Sequence, residues 1–218
     1  MDRERESMDK KFKSGFCAII GMPNVGKSTL LNSIAGQKIA IISDKPQTTR
    51  NKILAIYSTD TEQIMFTDTP GIHNPHNKLG EYMVRMANES MRDTDVVLFV
   101  IDAQKGMREK EREIAENIGS IGIPCILVIN KVDRPDARLD EIGDEVLELL
   151  LELNATNEQL DSPMLFCSGR SGTASFSPDV EGKDLIPLLD TIVDYIPAPE
   201  GEPDEPLQLL VSSIDYND

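Results

Sequence analysis

Two uninterrupted apolar runs near the middle of the chain constrain the fold most. They are DVVLFVIDA at 95–103 and IPCILVIN at 123–130, and a polar segment with helical spacing lies between them at 108–120. Successive side chains of a strand point to opposite faces of a sheet, so a strand without polar alternation must be covered on both faces. The pattern predicts two central parallel strands joined by a helix.

The same alternation of strand and helix extends through most of the chain. Further strands are predicted at 16–21, 51–58, 62–68 and 162–168, and further helices at 28–36, 80–93, 139–153 and 183–196. The sequence therefore predicts an α/β fold with a mostly parallel six-stranded sheet and helices on both faces. Such sheets bind ligands at the carboxyl ends of their strands.

Composition divides the chain into four segments. We expect a flexible charged leader at 1–14, a domain at 15–196, an acidic proline-rich linker at 197–206, and the first strand of a following domain at 207–218. No apolar run approaches the length of a membrane span, and the leader lacks the apolar core of a signal peptide. We therefore expect a cytoplasmic protein.

Charge is distributed unevenly about Val132. Residues 1–132 carry 18 basic and 17 acidic side chains, whereas residues 133–218 carry 4 and 21, and the whole chain has a net charge of −16. An acidic surface repels phosphate backbones, which makes the second part a poor candidate for contact with nucleic acid.

The cysteines and histidines do not indicate a metal or disulfide framework. Cys17, Cys125 and Cys167 are odd in number and far apart, and each lies in an apolar stretch, so buried free thiols are expected. His73 and His76 have no third ligand at a fitting distance, and surface polar residues are the better interpretation.

The stretch GMPNVGKS, Gly21 to Ser28, fits the G-x-x-x-x-G-K-[ST] phosphate-loop pattern. It stands between a predicted strand and a predicted helix, which is the context that the motif requires. Glycines let backbone N–H groups surround phosphates, the lysine contributes a point charge, and the serine hydroxyl is a ligand for Mg²⁺. The nucleotide-binding candidates here are Gly21, Asn24, Val25, Gly26, Lys27, Ser28 and Thr29. An ordinary strand–helix turn is the alternative.

Two further stretches could complete a phosphate and metal site. In DTPG, Asp68 ends a predicted strand and can hold Mg²⁺ through water, while Gly71 can donate its N–H to a γ-phosphate. QTTR at 47–50 offers a hydroxyl for the metal, and Thr49 is the favoured residue. Turn capping by the aspartate and an ordinary polar loop remain the alternatives.

NKVD at 130–133 predicts recognition of guanine. The carboxylate of Asp133 can accept two parallel hydrogen bonds from the N1–H and N2–H₂ donors of guanine, which adenine lacks. Lys131 can lie over the base, and Asn130 can connect this loop to the phosphate loop. The next strand ends in CSGRSG, and backbone N–H groups of its loop could read guanine O6; the candidates there are Ser168, Gly169 and Arg170, with a plain turn as the alternative.

Taken in order, these motifs resemble a P-loop NTPase G domain, and residues 15 to about 132 closely resemble the Era family of bacterial GTPases. The match lies in GMPNVGKSTLLNSIAG, KPQTTR, DTPGIHNPHNKLGEYM and DVVLFVIDAQKG. The family is associated with assembly of the small ribosomal subunit, so the resemblance implies GTP and GDP as ligands, Mg²⁺ as cofactor and ribosomal RNA as a possible partner. The family continues into a KH domain that binds ribosomal RNA, and nothing after Pro197 resembles one.

Residues from about 130 to 218 instead resemble the BipA/TypA family of ribosome-associated translational GTPases. That family has a histidine directly after the glycine of DTPG, where this chain has Ile72. The histidine-based positioning of water in that family therefore does not carry over.

These resemblances imply a slow Mg²⁺-dependent GTPase of the switch type. Lys27, Thr49 and Gly71 are the expected catalytic residues, and Asn24 resembles the residue that recruits K⁺ in potassium-stimulated GTPases. The alternatives are a nucleotide-gated interaction module, a hybrid G domain with little or no hydrolysis, and an ATP-dependent P-loop kinase, which NKVD disfavours.

Overall fold

The computed structural model describes residues 12–36, 40–42, 52–68, 94–152 and 155–196. The described chain contains eight strands. They are β1 (Lys13–Ile20), β2 (Ala40–Ile42), β3 (Lys52–Ser58), β4 (Glu62–Asp68), β5 (Val96–Asp102), β6 (Cys125–Asn130), β7 (Met164–Ser168) and β8 (Thr173–Ser175). They form one sheet in the order β2-β3-β4-β1-β5-β6-β7-β8.

The predicted six-stranded sheet is therefore wrong in its number of strands. The two additional strands, β2 and β8, have three residues each and lie at the two edges of the sheet. Three residues are too few for a periodic pattern to distinguish a strand from a turn. The prediction of a mostly parallel sheet is confirmed, because four strand pairs are parallel and the three pairs toward the edges are antiparallel.

The first strand also begins earlier than predicted. β1 starts at Lys13, so residues 13 and 14 belong to the sheet and not to the leader, and Lys13 pairs with Glu62 of β4. Its ammonium group donates a hydrogen bond of 2.9 Å to the carbonyl of Val193. This end of the strand is polar because it lies at the rim of the sheet, and an apolar pattern could not reveal it. Residues 1–11 and 197–218 lie outside the described residues.

Five helices are described between and after these strands. They are α1 (Lys27–Gly36), α2 (Glu109–Ile121), α3 (Leu139–Glu152), α4 (Asn157–Leu160) and α5 (Ile186–Tyr195). α2 has Glu109 and Glu111 in its first turn, which suits the positive end of the helix dipole. It ends at Ile121, and the Gly122 that follows has the left-handed conformation. The helix predicted at 80–93 lies outside the described residues. No helix in the described part of the chain is long and apolar enough to cross a bilayer.

The hydrophobic core continues from β3 to β8 across the described sheet. Every residue of β5 is buried, so helices or loops cover both faces of the sheet there. One cluster of buried side chains includes Phe66, Leu98, Ile129, Leu165 and Ile192. The acidic second part of the chain therefore shares its core with the first.

The register of the central strands places the predicted motifs at one edge. Asp102 of β5 lies opposite Asn130 of β6, and Asn130 lies opposite Cys167 of β7. Ala18 of β1 pairs with Thr67 of β4 two residues before β1 ends. The phosphate-loop, NKVD and CSGRSG stretches, and Asp68 as the first residue of DTPG, consequently all lie at the carboxyl ends of parallel strands of this sheet.

The cysteines lie in this core. Cys17 and Cys167 are buried, Cys125 is half-buried, and all three are free thiols. Burial raises the pKa of Cys125 and of Cys167 to about 12, and it raises the pKa of Cys17 as well. The predicted free thiols are confirmed, with Cys125 less enclosed than expected.

The segment before α5 folds back over the outer edge of β8. The N–H of Ala174 donates to the carbonyl of Asp184 at 2.7 Å. A Cβ atom on Gly182 would lie 2.5 Å from the carbonyl oxygen of Ala174, so the backbone approach requires glycine there. The contact protects an edge that would otherwise present unpaired peptide groups.

Replacing this glycine should destabilise the sheet edge. We expect Gly182→Ala to lower the free energy of unfolding by about 2 kcal/mol, because the new methyl group overlaps backbone. The measurement is urea denaturation followed by circular dichroism. Gly143→Ala in α3 is the matched control, because a Cβ atom at Gly143 meets nothing within 4 Å. Alanine should stabilise that helix by about 0.5 to 1 kcal/mol. Equal unfolding curves for the Gly182→Ala variant and the original protein would contradict the expectation.

Candidate functional site

The loop between β1 and α1 has a backbone that only certain residues can adopt. Asn24 has φ 65° and Gly26 has φ 100°, both in the left-handed region. A Cβ atom on Gly26 would lie 2.3 Å from the Nδ2 atom of Asn130. Glycine at position 26 therefore allows the NKVD loop to approach the phosphate loop closely, in addition to exposing backbone N–H groups.

Lys27 lies at the start of α1 and reaches back across this loop. Its Nζ atom donates to the carbonyl of Gly21 at 2.6 Å and to the carbonyl of Met22 at 2.8 Å. A positive charge at the N-terminus of a helix is suited to an anionic ligand. The role of Lys27 toward a phosphate stays a prediction.

Asn130 connects three loops through one buried side chain. Its Nδ2 atom donates to the carbonyl of Val25 at 2.9 Å, and its Oδ1 atom accepts from the N–H of Gly169 at 2.9 Å. The side chain is 1% exposed, so both bonds are shielded from water. The predicted connection to the phosphate loop is present, and it extends to the CSGRSG loop.

Lys131 makes a second connection beside the first. It has φ 70°, and its Nζ atom donates to the carbonyl of Asn24 at 2.6 Å and to Oδ2 of Asp102 at 2.5 Å. Burial by itself would raise the pKa of Asp102, but hydrogen bonds from Lys131 and the N–H of Gln104 outweigh it and lower the pKa. Asp102 is therefore a buried, ionised carboxylate.

The CSGRSG loop packs against α1. The hydroxyl of Ser33 donates to the carbonyl of Gly169 at 2.5 Å, while the Ser168 hydroxyl accepts from the N–H of Ser171 at 3.1 Å. Gly169 is thus fixed through both of its backbone polar groups. Arg170 is exposed beside it.

Mg²⁺ is bound by oxygen ligands, and two of the residues predicted to bind it, Ser28 and Asp68, lie in the described part of the chain. Ser28 is exposed in the first turn of α1, and Asp68 ends β4, the strand next to β1. Within the described ranges, no group of three or more His, Cys, Asp or Glu could hold a metal ion. A hydroxyl is one of the oxygen donors that Mg²⁺ accepts, and the metal-binding roles of Ser28 and Asp68 stay predictions.

Some predicted residues cannot be compared with the structure. Thr49, Gly71, Ile72, His73 and His76 lie outside the described residues. Asp133 is described and exposed at the end of its motif.

A family model described as 50S ribosome-binding GTPase matches residues 16–131. The chain belongs to this family. The match covers the phosphate loop and the first two residues of NKVD, and with it the fold is that of a P-loop GTPase G domain.

Curated relatives and a solved structure agree with this membership. GTPase Era of Clostridioides difficile is 55% identical over 133 residues, which cover 61% of this chain and 44% of that protein. GTPase Era of Alkaliphilus metalliredigens is 43% identical over 209 residues, which cover 93% of this chain and 65% of the relative. A crystal structure of Era with MgGDPNP and a segment of 16S ribosomal RNA is 39% identical in sequence, with a TM-score of 0.60. The match covers 89% of this chain and 60% of the Era chain. This chain is thus similar to an Era-family G domain, and it spans between 44% and 65% of the length of those two relatives.

Sequence reasoning missed two residues of this site. Asp102 carried a usable signal, because it ends an apolar strand at the edge where parallel sheets bind ligands. Ser33 carried none, since its partner, the Gly169 carbonyl, lies 136 residues away in sequence.

The bridge made by Asn130 is open to a direct test. Asn130→Ala leaves the Val25 carbonyl and the Gly169 N–H unpaired, so we expect a loss of about 2 kcal/mol or more in the free energy of unfolding. Asn117→Ala is the control, because the Asn117 side chain donates an exposed bond to the carbonyl of Glu113. Its effect should stay within about 0.5 kcal/mol. Urea denaturation measures both, and equal small effects would show that the bridge contributes little.

Proposed function

We propose that the protein binds GTP and GDP with Mg²⁺ and hydrolyses GTP to GDP and phosphate as a switch-type GTPase. The observation that carries the proposal is the Asn130 side chain, which joins the phosphate loop and the CSGRSG loop with two bonds of 2.9 Å. It supports a single nucleotide site in which the loops that would bind the base and the loop that would bind the phosphates are held at a fixed distance from each other.

The proposed base recognition depends on Asp133 and on the loop after β7. Asp133 is exposed and can accept the paired donors of guanine. The N–H groups of Gly169 and Ser171 are occupied by Asn130 and Ser168. The N–H of Arg170 is therefore the candidate donor of a hydrogen bond to guanine O6.

The proposed hydrolysis is a direct attack of water on the γ-phosphate. Lys27 would stabilise the charge on the phosphate oxygens, and Ser28, Thr49 and Asp68 would hold the metal. Bound Mg²⁺ would neutralise charge that develops on the phosphates. Gly71 would donate its N–H to the γ-phosphate. With Ile72 where many GTPases place a water-orienting glutamine, unaided turnover should be slow, on the order of 10⁻⁴ to 10⁻² s⁻¹.

A ribosomal role in the cytoplasm is part of the proposal. It is supported by the family description, by curated relatives named GTPase Era, and by the Era crystal structure that contains a segment of 16S ribosomal RNA. Ribosomal RNA or a ribosomal protein is the corresponding partner class. The acidic second part of the chain should face away from RNA.

We also propose the BipA/TypA-like pattern for residues of about 130 to 218. It is supported by the change of charge at Val132. The alternative of an inert hybrid requires a poorly packed join. The continuous core and the paired register of β5, β6 and β7 favour a working domain instead.

The guanine assignment is tested by exchanging one carboxylate. Asp133→Asn should weaken GDP binding by at least about 30-fold, because an amide cannot accept both donors. It should improve binding of xanthosine diphosphate, whose C2 oxygen can accept from the new amide. Isothermal titration calorimetry with both nucleotides measures the change. Asp136→Asn, an exposed aspartate in the same loop, should change neither affinity. An unaltered base preference in the Asp133→Asn variant would disprove guanine recognition by this residue.

A monovalent cation is the last component of the proposal. Asn24 is exposed in the phosphate loop and could recruit K⁺ beside the phosphates. Phosphate release should therefore be faster in KCl than in NaCl at equal ionic strength, and Asn24→Ala should remove the difference. Equal turnover in the two salts would refute the assignment of K⁺.

A further inference from the structure

We propose that Asp102 is a positioning residue for nucleotide binding, which acts by holding the Lys131 ammonium group against the phosphate loop. The inference rests on the proposed nucleotide site. The backbone of Asp102 lies beside Asn130 in the sheet, but among the described residues the hydrogen bonds of its carboxylate reach the predicted ligand motifs at Lys131 alone, at 2.5 Å. We therefore infer that the effect of the carboxylate on a nucleotide passes through that lysine.

The Asp102 carboxylate is fixed before any ligand arrives. Its Oδ1 atom accepts from the N–H of Gln104 at 3.0 Å, and its Oδ2 atom accepts from Lys131. The carbonyl of Asp102 also accepts from the N–H groups of Lys105 and Gly106, each at 3.0 Å. The side chain is 1% exposed, so it cannot rotate into solvent without breaking these bonds.

α3 and the residue before it hold the turn after Asp102 in place. The Oε2 atom of Glu145 accepts from the N–H of Met107 at 2.9 Å, and the N–H of Arg138 donates to the carbonyl of Ala103 at 2.8 Å. Arg138 also pairs with Glu145 at 2.6 Å. A carboxylate on so rigid a turn can determine where a flexible lysine side chain lies.

Without a fixed partner, the long side chain of Lys131 could adopt many conformations. A lysine has four rotatable side-chain bonds and a compact charge, and water competes for that charge at the surface. Here the side chain of Lys131 is 21% exposed and that of Asp102 is 1% exposed. The buried carboxylate gives Lys131 a charge-assisted bond that water would otherwise replace. The remaining donors of the ammonium group can then reach Asn24.

Two hydrogen bonds between the NKVD loop and the phosphate loop constrain the phosphate loop more than one bond could. Asn130 donates to the carbonyl of Val25, and Lys131 donates to the carbonyl of Asn24. Two adjacent residues of the NKVD loop are thus bonded to two adjacent residues of the phosphate loop. A single hydrogen bond sets a distance and still permits rotation, whereas two neighbouring bonds also set orientation. The orientation of these peptide units decides where the N–H groups of the phosphate loop point.

A double-mutant cycle on nucleotide affinity tests this role. Asp102→Ala, Lys131→Met and the double variant are compared with the original protein, with GDP affinity measured by isothermal titration calorimetry in Mg²⁺ buffer. We expect Asp102→Ala to weaken GDP binding about ten-fold or more, on the scale of a charge-assisted hydrogen bond. In the Lys131→Met background the same substitution should change affinity less than about two-fold, because the contact it acts through is gone.

A merely structural role would give a different pattern. Asp102→Ala would then weaken GDP binding by the same factor in both backgrounds, and this result would overturn the inference. Asp102→Asn, which keeps the shape and one acceptor, repeats the cycle should the alanine variant not fold. Glu111→Gln is the matched control. The side chain of Glu111 is also 1% exposed, and it pairs with Arg108 at a distance of 2.8 Å, outside the nucleotide loops. It should leave GDP affinity unchanged.

The cycle also separates this inference from the proposed function. If the original protein fails to bind GDP, the proposed function is wrong and the inference falls with it. If the original protein binds GDP and the Asp102 substitutions have additive or negligible effects, the inference alone is wrong.

Discussion

The site depends first on the register of the central strands. β5 and β6 pair so that Asp102 lies opposite Asn130, and β7 continues the row with Cys167 opposite Asn130. Because these strands are buried on both faces, a slip along the strand direction would move whole layers of apolar side chains. The hydrophobic core therefore specifies the register, and the register sets which polar residues meet at the carboxyl edge.

Polar groups at that edge are satisfied by one another. Asn130 uses both ends of its amide, and Lys131 and Asp102 neutralise each other in a position where either charge by itself would be costly. Among the described side chains, two buried polar atoms have no hydrogen-bond partner, Thr67 Oγ1 and Glu111 Oε2, and neither belongs to this network. A network with few unsatisfied groups is rigid, and rigidity reduces the ordering cost of binding a ligand.

The two parts of the chain differ in charge and share one fold. The change from a balanced to an acidic composition falls at Val132, within the motif whose Asn130 contacts both parts. Most of the added carboxylates of α3, such as Asp140, Asp144 and Glu148, are exposed, while Ile142, Val146 and Leu149 enter the core. Surface charge can therefore change sharply along the sequence without disturbing the packing beneath it.

The sequence by itself determined the alternation of strands and helices, the ligand edge, and the candidate residues in GMPNVGKS, DTPG and NKVD. These follow from periodicity and from motif chemistry, both of which are local. Tertiary structure decided the short strands β2 and β8, the start of β1 at Lys13, and the roles of Asp102 and Ser33. Asp102 has a partner 29 residues away, and Ser33 has one 136 residues away. A hydrogen bond between residues so distant in sequence leaves no periodic signal, because it depends on which strands become neighbours and in which register.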